Sequence, residues 1–193
     1  MDRLSRSAVL LTLLEQLHAH GSWCGETHVQ KSVYFVQGLL EVPLDFDFIF
    51  YKYGPFSFEL GDELTALQGD GLLRVVIRDP QYEPRLLPGP ASKRFLKQFP
   101  RTRKKYGPAL CFVAERLGAT NVTELERLAT ALYVLRQMPG AARDTQMREI
   151  QKLKPHVPDE GALTALDAVE AMRAEVKALT PHDQSSPQTV DRN

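Results

Sequence analysis

The sequence predicts a mostly α fold with a small β element, an α+β chain with a winged-helix-like N-terminal half and a helical C-terminal half. Three observations carry that prediction. Apolar residues recur at helical spacing through most of the chain. Two short stretches, at residues 44–51 and 72–77, alternate or run in aromatic and β-branched residues as strands do. The N-terminal order is helix, helix, strand, helix, hairpin, which is the outline of a winged helix-turn-helix. Residues 1–90 form that region. Residues 91–179 are a helical region packed on it in one core, because no linker longer than a few residues intervenes. Residues 180–193 are polar with two prolines and are expected to be a disordered tail.

In residues 7–19, Val9, Leu10, Leu13, Leu14 and Leu17 form one helical stripe, and Gly21 ends it. Thr27 and Gln30 have the capping-box form and open a second helix carrying Val29, Val33, Val36 and Leu40. Pro43 stops it. Phe46, Phe48 and Phe50 then fall on one side of a strand. Gly54-Pro55 breaks that strand, and Ser57 caps a third helix carrying Leu60, Leu64 and Leu67. Glu59, Asp62, Glu63 and Asp70 read as a solvated, dipole-matched face of it. Leu72–Ile77 and Arg85–Leu87 pair as a hairpin around a turn at Asp79-Pro80.

Downstream, Ser92–Phe99 is a short basic helix with Phe95, Leu96 and Phe99 inward and Lys93, Arg94 and Lys97 outward. A charged loop follows. Residues 107–117 make the next helix, with Pro108 in its first turn. Thr123-Glu124-Leu125-Glu126 is a second capping box, opening a helix to Gln137. Residues 142–153 and 159–179 are helical, joined by a stiff connector at 154–158.

The chain is electrically neutral, with 24 basic and 24 acidic residues, but the charge is uneven. Residues 91–105 hold seven basic residues and no acidic one. No apolar run approaches the roughly 18 residues that span a bilayer, and the N-terminal stretch reads as a helix rather than a signal peptide. Cys24 and Cys111 lack metal-ligand spacing and read as reduced thiols of a cytoplasmic protein. His18 and His20, two apart, do not share a helix face. His28 reads as surface-exposed or locally bonded.

No phosphate-binding glycine loop, nucleophile elbow or histidine–glutamate metal pair is present, so no cofactor, metal or catalytic residue is assigned. Asp45 and Asp47 could share one side of a strand. They support a metal-dependent hydrolase or nuclease only if some partner group is supplied. The basic run Lys93, Arg94, Lys97, Arg101, Arg103, Lys104 and Lys105 is a candidate phosphate surface beside a possible wing. Its other readings are a solvated helix face or a site for an acidic protein. Against DNA stands the helix at 57–68, which carries Glu59, Asp62 and Glu63 and no base.

One stretch combines several residue types at fixed spacing: Gln30-Lys31, Tyr34-Phe35, Gln37-Gly38, and then Tyr51-Lys52-Tyr53-Gly54-Pro55. Over residues 7–98 it resembles the SocA-like (Panacea) antitoxin domain, most closely its YwgA-like branch of bacterial proteins. Tyr51 or Tyr53 stands where that family has a tryptophan, and the helical extension is long. The resemblance implies a compact helical domain with a small β element. It also implies a non-enzymatic role, binding a partner protein in toxin–antitoxin or phage-defence regulation or presenting it to a protease. The motif positions it carries over as partner-binding are Lys31, Tyr34, Tyr51, Tyr53, Gly54 and Pro55. The residues themselves suggest that Tyr34 and Phe35 pack on the aromatic strand. Lys31 then either covers a tyrosine ring or reaches a backbone carbonyl at the turn. The alternative is a winged-helix nucleic-acid-binding regulator using residues 93–105. A homodimer is compatible with either reading, and a membrane partner with neither.

Overall fold

The computed structural model describes residues 1–77 and 83–179. The expected Asp79-Pro80 turn and the C-terminal tail therefore lie outside the described residues. The chain is mostly helical with two small antiparallel hairpins. It begins with α1 (Arg3–Ala19) and α2 (Glu26–Gly38), then β1 (Ile49–Tyr51), β2 (Gly54–Phe56) and α3 (Phe58–Gly69). The second hairpin is β3 (Leu73–Val76) and β4 (Arg85–Pro88). Five helices follow: α4 (Ser92–Leu96), α5 (Pro100–Leu117), α6 (Val122–Gln137), α7 (Arg143–Leu153) and α8 (Asp159–Leu179). Among the described residues, no helix is long and apolar enough to cross a membrane.

α1 is the central helix. The expected stripe is buried, but so are Ser7, Ala8, Leu11 and Thr12, so the helix is enclosed on nearly every side. A helix apolar all round belongs inside. Here α5 covers one flank, and α4 and β4 cover others. Thr12 returns its hydroxyl proton to the Ala8 carbonyl at 2.7 Å, so its burial strands no donor. Asp2 caps the helix by accepting from the Ser5 N–H at 2.9 Å. α2 is also enclosed, from His28 to Val36, between α5, α6 and β2. The buried apolar residues form one cluster running from Ala8 to Met172.

Both predicted capping boxes are absent. The N-cap of α2 is Gly25, and no side chain bonds there. Thr27 gives its hydroxyl to Glu83 instead, and Gln30 is turned toward residue 57. At α6 the cap is Asn121, whose Oδ1 accepts from the Glu124 N–H at 2.9 Å, so Thr123 already lies within the first turn. In both cases a better-placed acceptor displaces the local one. Ser57 does cap α3, accepting from the Leu60 N–H at 3.2 Å.

The β element before α3 also differs from expectation. The single strand over residues 44–51 shrinks to β1, which pairs with β2 in register Ile49↔Phe56, Phe50↔Pro55 and Tyr51↔Gly54. Gly54-Pro55 is therefore not the break but the start of the return strand, and Lys52-Tyr53 is the turn. Lys52 and Tyr53 keep negative φ, whereas Gly54 has φ +93°. Negative φ at both turn residues excludes the mirror-image turns, which need positive φ there, and leaves the left-handed step to Gly54. Pro55 sits on an edge strand, where its missing N–H breaks no ladder. The second hairpin pairs Leu73↔Pro88 through Val76↔Arg85, and the Leu86 N–H ties it to the Cys24 carbonyl at 2.8 Å.

Two further expectations change. α5 begins at Pro100, not residue 107. The proline starts the helix, and Pro108 lies inside it on an exposed position. Arg101–Lys105 therefore form its first turns instead of a charged loop. Glu63 is not solvated. It is 8% exposed, 3.0 Å from the Ser7 hydroxyl and 3.1 Å from Arg3 Nε.

Gly54 yields the first prediction. A Cβ there would meet Thr130 Oγ1 at an ordinary 3.4 Å, so space is not the obstacle and the positive φ is. Gly54→Val should cost about 2 kcal/mol and Gly54→Ala somewhat less. Chemical denaturation measures both, and an unchanged valine variant would refute the strained-turn account.

Candidate functional site

The hairpin β1–β2 is held from behind by one face of α2. Gln30, Tyr34 and Gln37 lie at i, i+4 and i+7, so they stack along one side of the helix. Gln37 binds the Phe46 backbone twice, donating to its carbonyl at 2.8 Å and accepting from its N–H at 2.9 Å. Gln30 does the same to Ser57, donating at 2.9 Å and accepting at 3.0 Å. Each amide reproduces the donor–acceptor pair of a neighbouring strand. Between them, Lys31 donates from Nζ to the Pro55 carbonyl at 2.9 Å. Of the two expected roles for Lys31, the backbone carbonyl is the one found.

The aromatic strand packs where the alternation places it. Phe46 is buried, Phe48 lies 5.0 Å from the Tyr34 ring, and Phe50 lies 5.0 Å from Tyr133 of α6. Burial raises the Tyr34 hydroxyl pKa from 10.0 to about 12. The tip of the hairpin is tied to the C-terminal half. Lys154, between α7 and α8, donates to the Lys52 carbonyl at 3.2 Å and to Glu126 at 3.1 Å, and lies 5.8 Å from the Tyr53 ring centroid. Glu126 thus pairs with the Lys154 ammonium and also attracts the buried Lys31 ammonium nearby. Burial pushes Lys31 down from 10.5 to about 8, against the attraction of Glu126, while Lys154 repels it further.

The other side of the hairpin faces solvent and is apolar. Ile49 is 45% exposed, Tyr51 48%, Tyr53 60% and Phe58 58%. Phe56 lies 6.0 Å from Tyr51 and 5.1 Å from Phe58, and Tyr51 and Phe58 are 5.8 Å apart, so three rings make one cluster. The motif residues therefore divide. Lys31, Tyr34, Gly54 and Pro55 are buried and hold the hairpin, whereas Tyr51 and Tyr53 are presented by it. Phe58 joins the outer cluster and was legible as the last aromatic of the Tyr51–Phe58 run. Glu126, Thr130 and Lys154 complete the inner site from far along the chain, and no local pattern marks them.

All seven basic residues of the 93–105 run are exposed. Arg103 pairs with Glu15 at 3.3 Å, and Lys105 lies 5.0 Å from the Tyr106 ring centroid. Among the described residues, Lys93, Arg94, Lys97, Arg101, Lys104 and Lys105 have no ion-pair partner. Asp45 takes the N-terminal ammonium at 2.9 Å, and the Asp47 N–H donates to Glu59 at 3.3 Å. No protein-family model matches the chain, and no curated protein matches it.

The buried ammonium makes stability depend on pH in a stated direction. The unfolded chain keeps the Lys31 proton up to 10.5, while the folded chain releases it near 8. Between these values the unfolded state binds more protons, so stability from this group rises with pH. Above 10 the raised Tyr34 works oppositely, because the folded state keeps a proton the unfolded state has lost. Between pH 8 and 10 the rise should be on the order of 2 kcal/mol, and Lys31→Met should remove it. Urea denaturation across that window tests this, and equal slopes in both proteins would refute it.

Proposed function

We propose that this chain is a non-enzymatic protein-interaction module of the antitoxin or proteolytic-adaptor kind. It acts in the bacterial cytoplasm in toxin–antitoxin or phage-defence regulation. Its partner protein docks on the outer face of the β1–β2 hairpin. The observation that carries this reading is the cluster of Tyr51, Phe56 and Phe58, with Tyr51 and Phe58 exposed, on a hairpin anchored from within and the start of the helix that follows it. Solvent-exposed aromatic groups at one spot mark interaction surfaces, and tyrosine is enriched among the residues that dominate binding energy. The anchoring matters as much, because a face already fixed in place loses little freedom on binding. The resemblance to the SocA-like (Panacea) domain supports the same class, since its motif residues are those that build this hairpin.

A gentle tagged purification from the native host, read by mass spectrometry, tests the proposal. The wild-type chain should bring down one stoichiometric protein whose retention survives nuclease. Tyr51→Ser and Phe58→Ser should each weaken that complex about tenfold or more. Both side chains are half exposed, so melting temperature should barely move. Full partner retention by the double variant would exclude this face.

The alternative, a nucleic-acid-binding regulator, is favoured by the six basic side chains of this run, all but Arg103, that have no ion-pair partner among the described residues, on or next to α4 and in the first turns of α5. Cations at a helix N-terminus oppose the helix dipole, and an anion there relieves the opposition. The acidic outer face of α3, with Glu59 and Asp62 exposed, argues against a recognition helix in a groove. If this reading holds, changing Lys97, Arg101 and Lys104 to Gln should flatten the dependence of log affinity on log salt by about 2.7 for duplex DNA. An unaltered slope would exclude the basic run.

A further inference from the structure

Away from the hairpin, a second set of side chains meets where the C-terminus of α1 crosses α5. A ring nitrogen of His20, the Cys111 Sγ and a Glu115 carboxylate oxygen all lie within 4.8 Å of one another. Cys111 and Glu115 are i and i+4 on α5, so they project from one face. Gly118 continues that face toward His20, and the approach there is very close. A Cβ on Gly118 would fall 2.8 Å from His20 Cβ and 2.8 Å from its carbonyl oxygen. Only a glycine lets the end of α1 come this near, which brings the imidazole to the thiol and carboxylate.

The imidazole is also set for coordination. His20 Nδ1 lies 2.8 Å from the Gln16 carbonyl oxygen. A carbonyl only accepts, so Nδ1 carries the proton and Nε2 keeps its lone pair. Metal-bound histidines are held in this way, with the distal nitrogen tied to a carbonyl or carboxylate. The Cys111 thiol already lies 3.2 Å from Glu115 Oε1. Ligand atoms around a tetrahedral zinc ion stand about 3.5 Å apart, a spacing the thiol and carboxylate already meet and the imidazole approaches to within 4.8 Å.

We propose that His20, Cys111 and Glu115 form a zinc-binding site with three protein ligands and the fourth position open to water. Imidazole, thiolate and carboxylate together suit a borderline-soft divalent ion, and not magnesium or calcium, which take oxygen ligands. The ion takes the place of the thiol proton, which leaves to solvent as the Cys111 sulfur binds as thiolate. Occupancy pins the end of α1 to the middle of α5. The site is independent of the partner-binding hairpin, so the two proposals stand or fall separately.

The test uses the full chain, tag removed and stripped by chelator. Cobalt(II) serves as the spectroscopic stand-in for zinc. Titration should give a thiolate-to-cobalt charge-transfer band saturating at one ion per chain, and zinc should bleach it. Cys111→Ser should abolish the band and weaken zinc at least about 100-fold in a chelator competition. His20→Gln and Glu115→Gln should each weaken it about tenfold or more. Cys24→Ala removes the other, buried thiol and should keep the band. Zinc should also raise the melting temperature of wild type but not of Cys111→Ser. Absence of a band in the folded wild-type chain, or its survival in folded Cys111→Ser, would overturn the site.

Discussion

The structure around the hairpin depends on a helix acting in place of a strand. A three-residue strand pair is marginal alone, and residues 46–57 carry backbone groups that must find partners once covered. Gln30 and Gln37 of α2 supply a donor and an acceptor at each end of this segment, and Lys31 supplies a donor between them. Ser57, gripped by Gln30 at its backbone, uses its side chain to cap α3. One buried contact thus fixes the end of β2 and the start of the next helix together.

The same region joins the two halves of the chain. Phe50 packs on Tyr133, and Lys154 with Glu126 closes over the turn. The net charge of this buried group, two ammonium groups to one carboxylate, is unfavourable in itself. It persists because each ammonium also holds a carbonyl, at Pro55 and Lys52. Removing either lysine leaves both a carbonyl and a charge balance to be remade, which is the general hazard of half-satisfied buried networks.

Much of this was legible locally. The helices, the β3–β4 pair and the Ser57 cap follow from periodicity and turn chemistry, whereas the first hairpin was read as a single strand. The inward set Phe46, Phe48 and Phe50 was also readable, even though most of that stretch is not paired as a strand. Most of the errors share one cause, which is competition from distant groups. Thr27 and Gln30 have the letters of a capping box, yet Glu83 and the Ser57 backbone bind them instead. Glu63 looked like one more charge on a polar face, but Ser7 and Arg3 of α1 draw it inward. Pro108 looked like a helix start because Pro100, further upstream, was not weighed as one. Lys154 and Glu126 carry no local signal of their partnership, since what joins them is the path of the chain around α6 and α7. The motif residues were recognisable as a group, but whether each anchors or is presented depends on which face of a hairpin it occupies.

The anchoring of this hairpin also decides what kind of recognition it can offer. Exposed strand edges usually invite another strand, through unpaired carbonyl and amide groups. Here the carbonyls of Phe46, Lys52, Pro55 and Ser57 are all occupied from within the molecule. On the β2 edge the outward carbonyl, that of Pro55, is taken by Lys31, and Pro55 has no N–H to offer. That edge is therefore a poor template for strand addition. On the proposed reading, a partner approaching from that side reads the shape of the ring cluster, so selectivity resides in side-chain complementarity and not in backbone pairing that any extended peptide could supply.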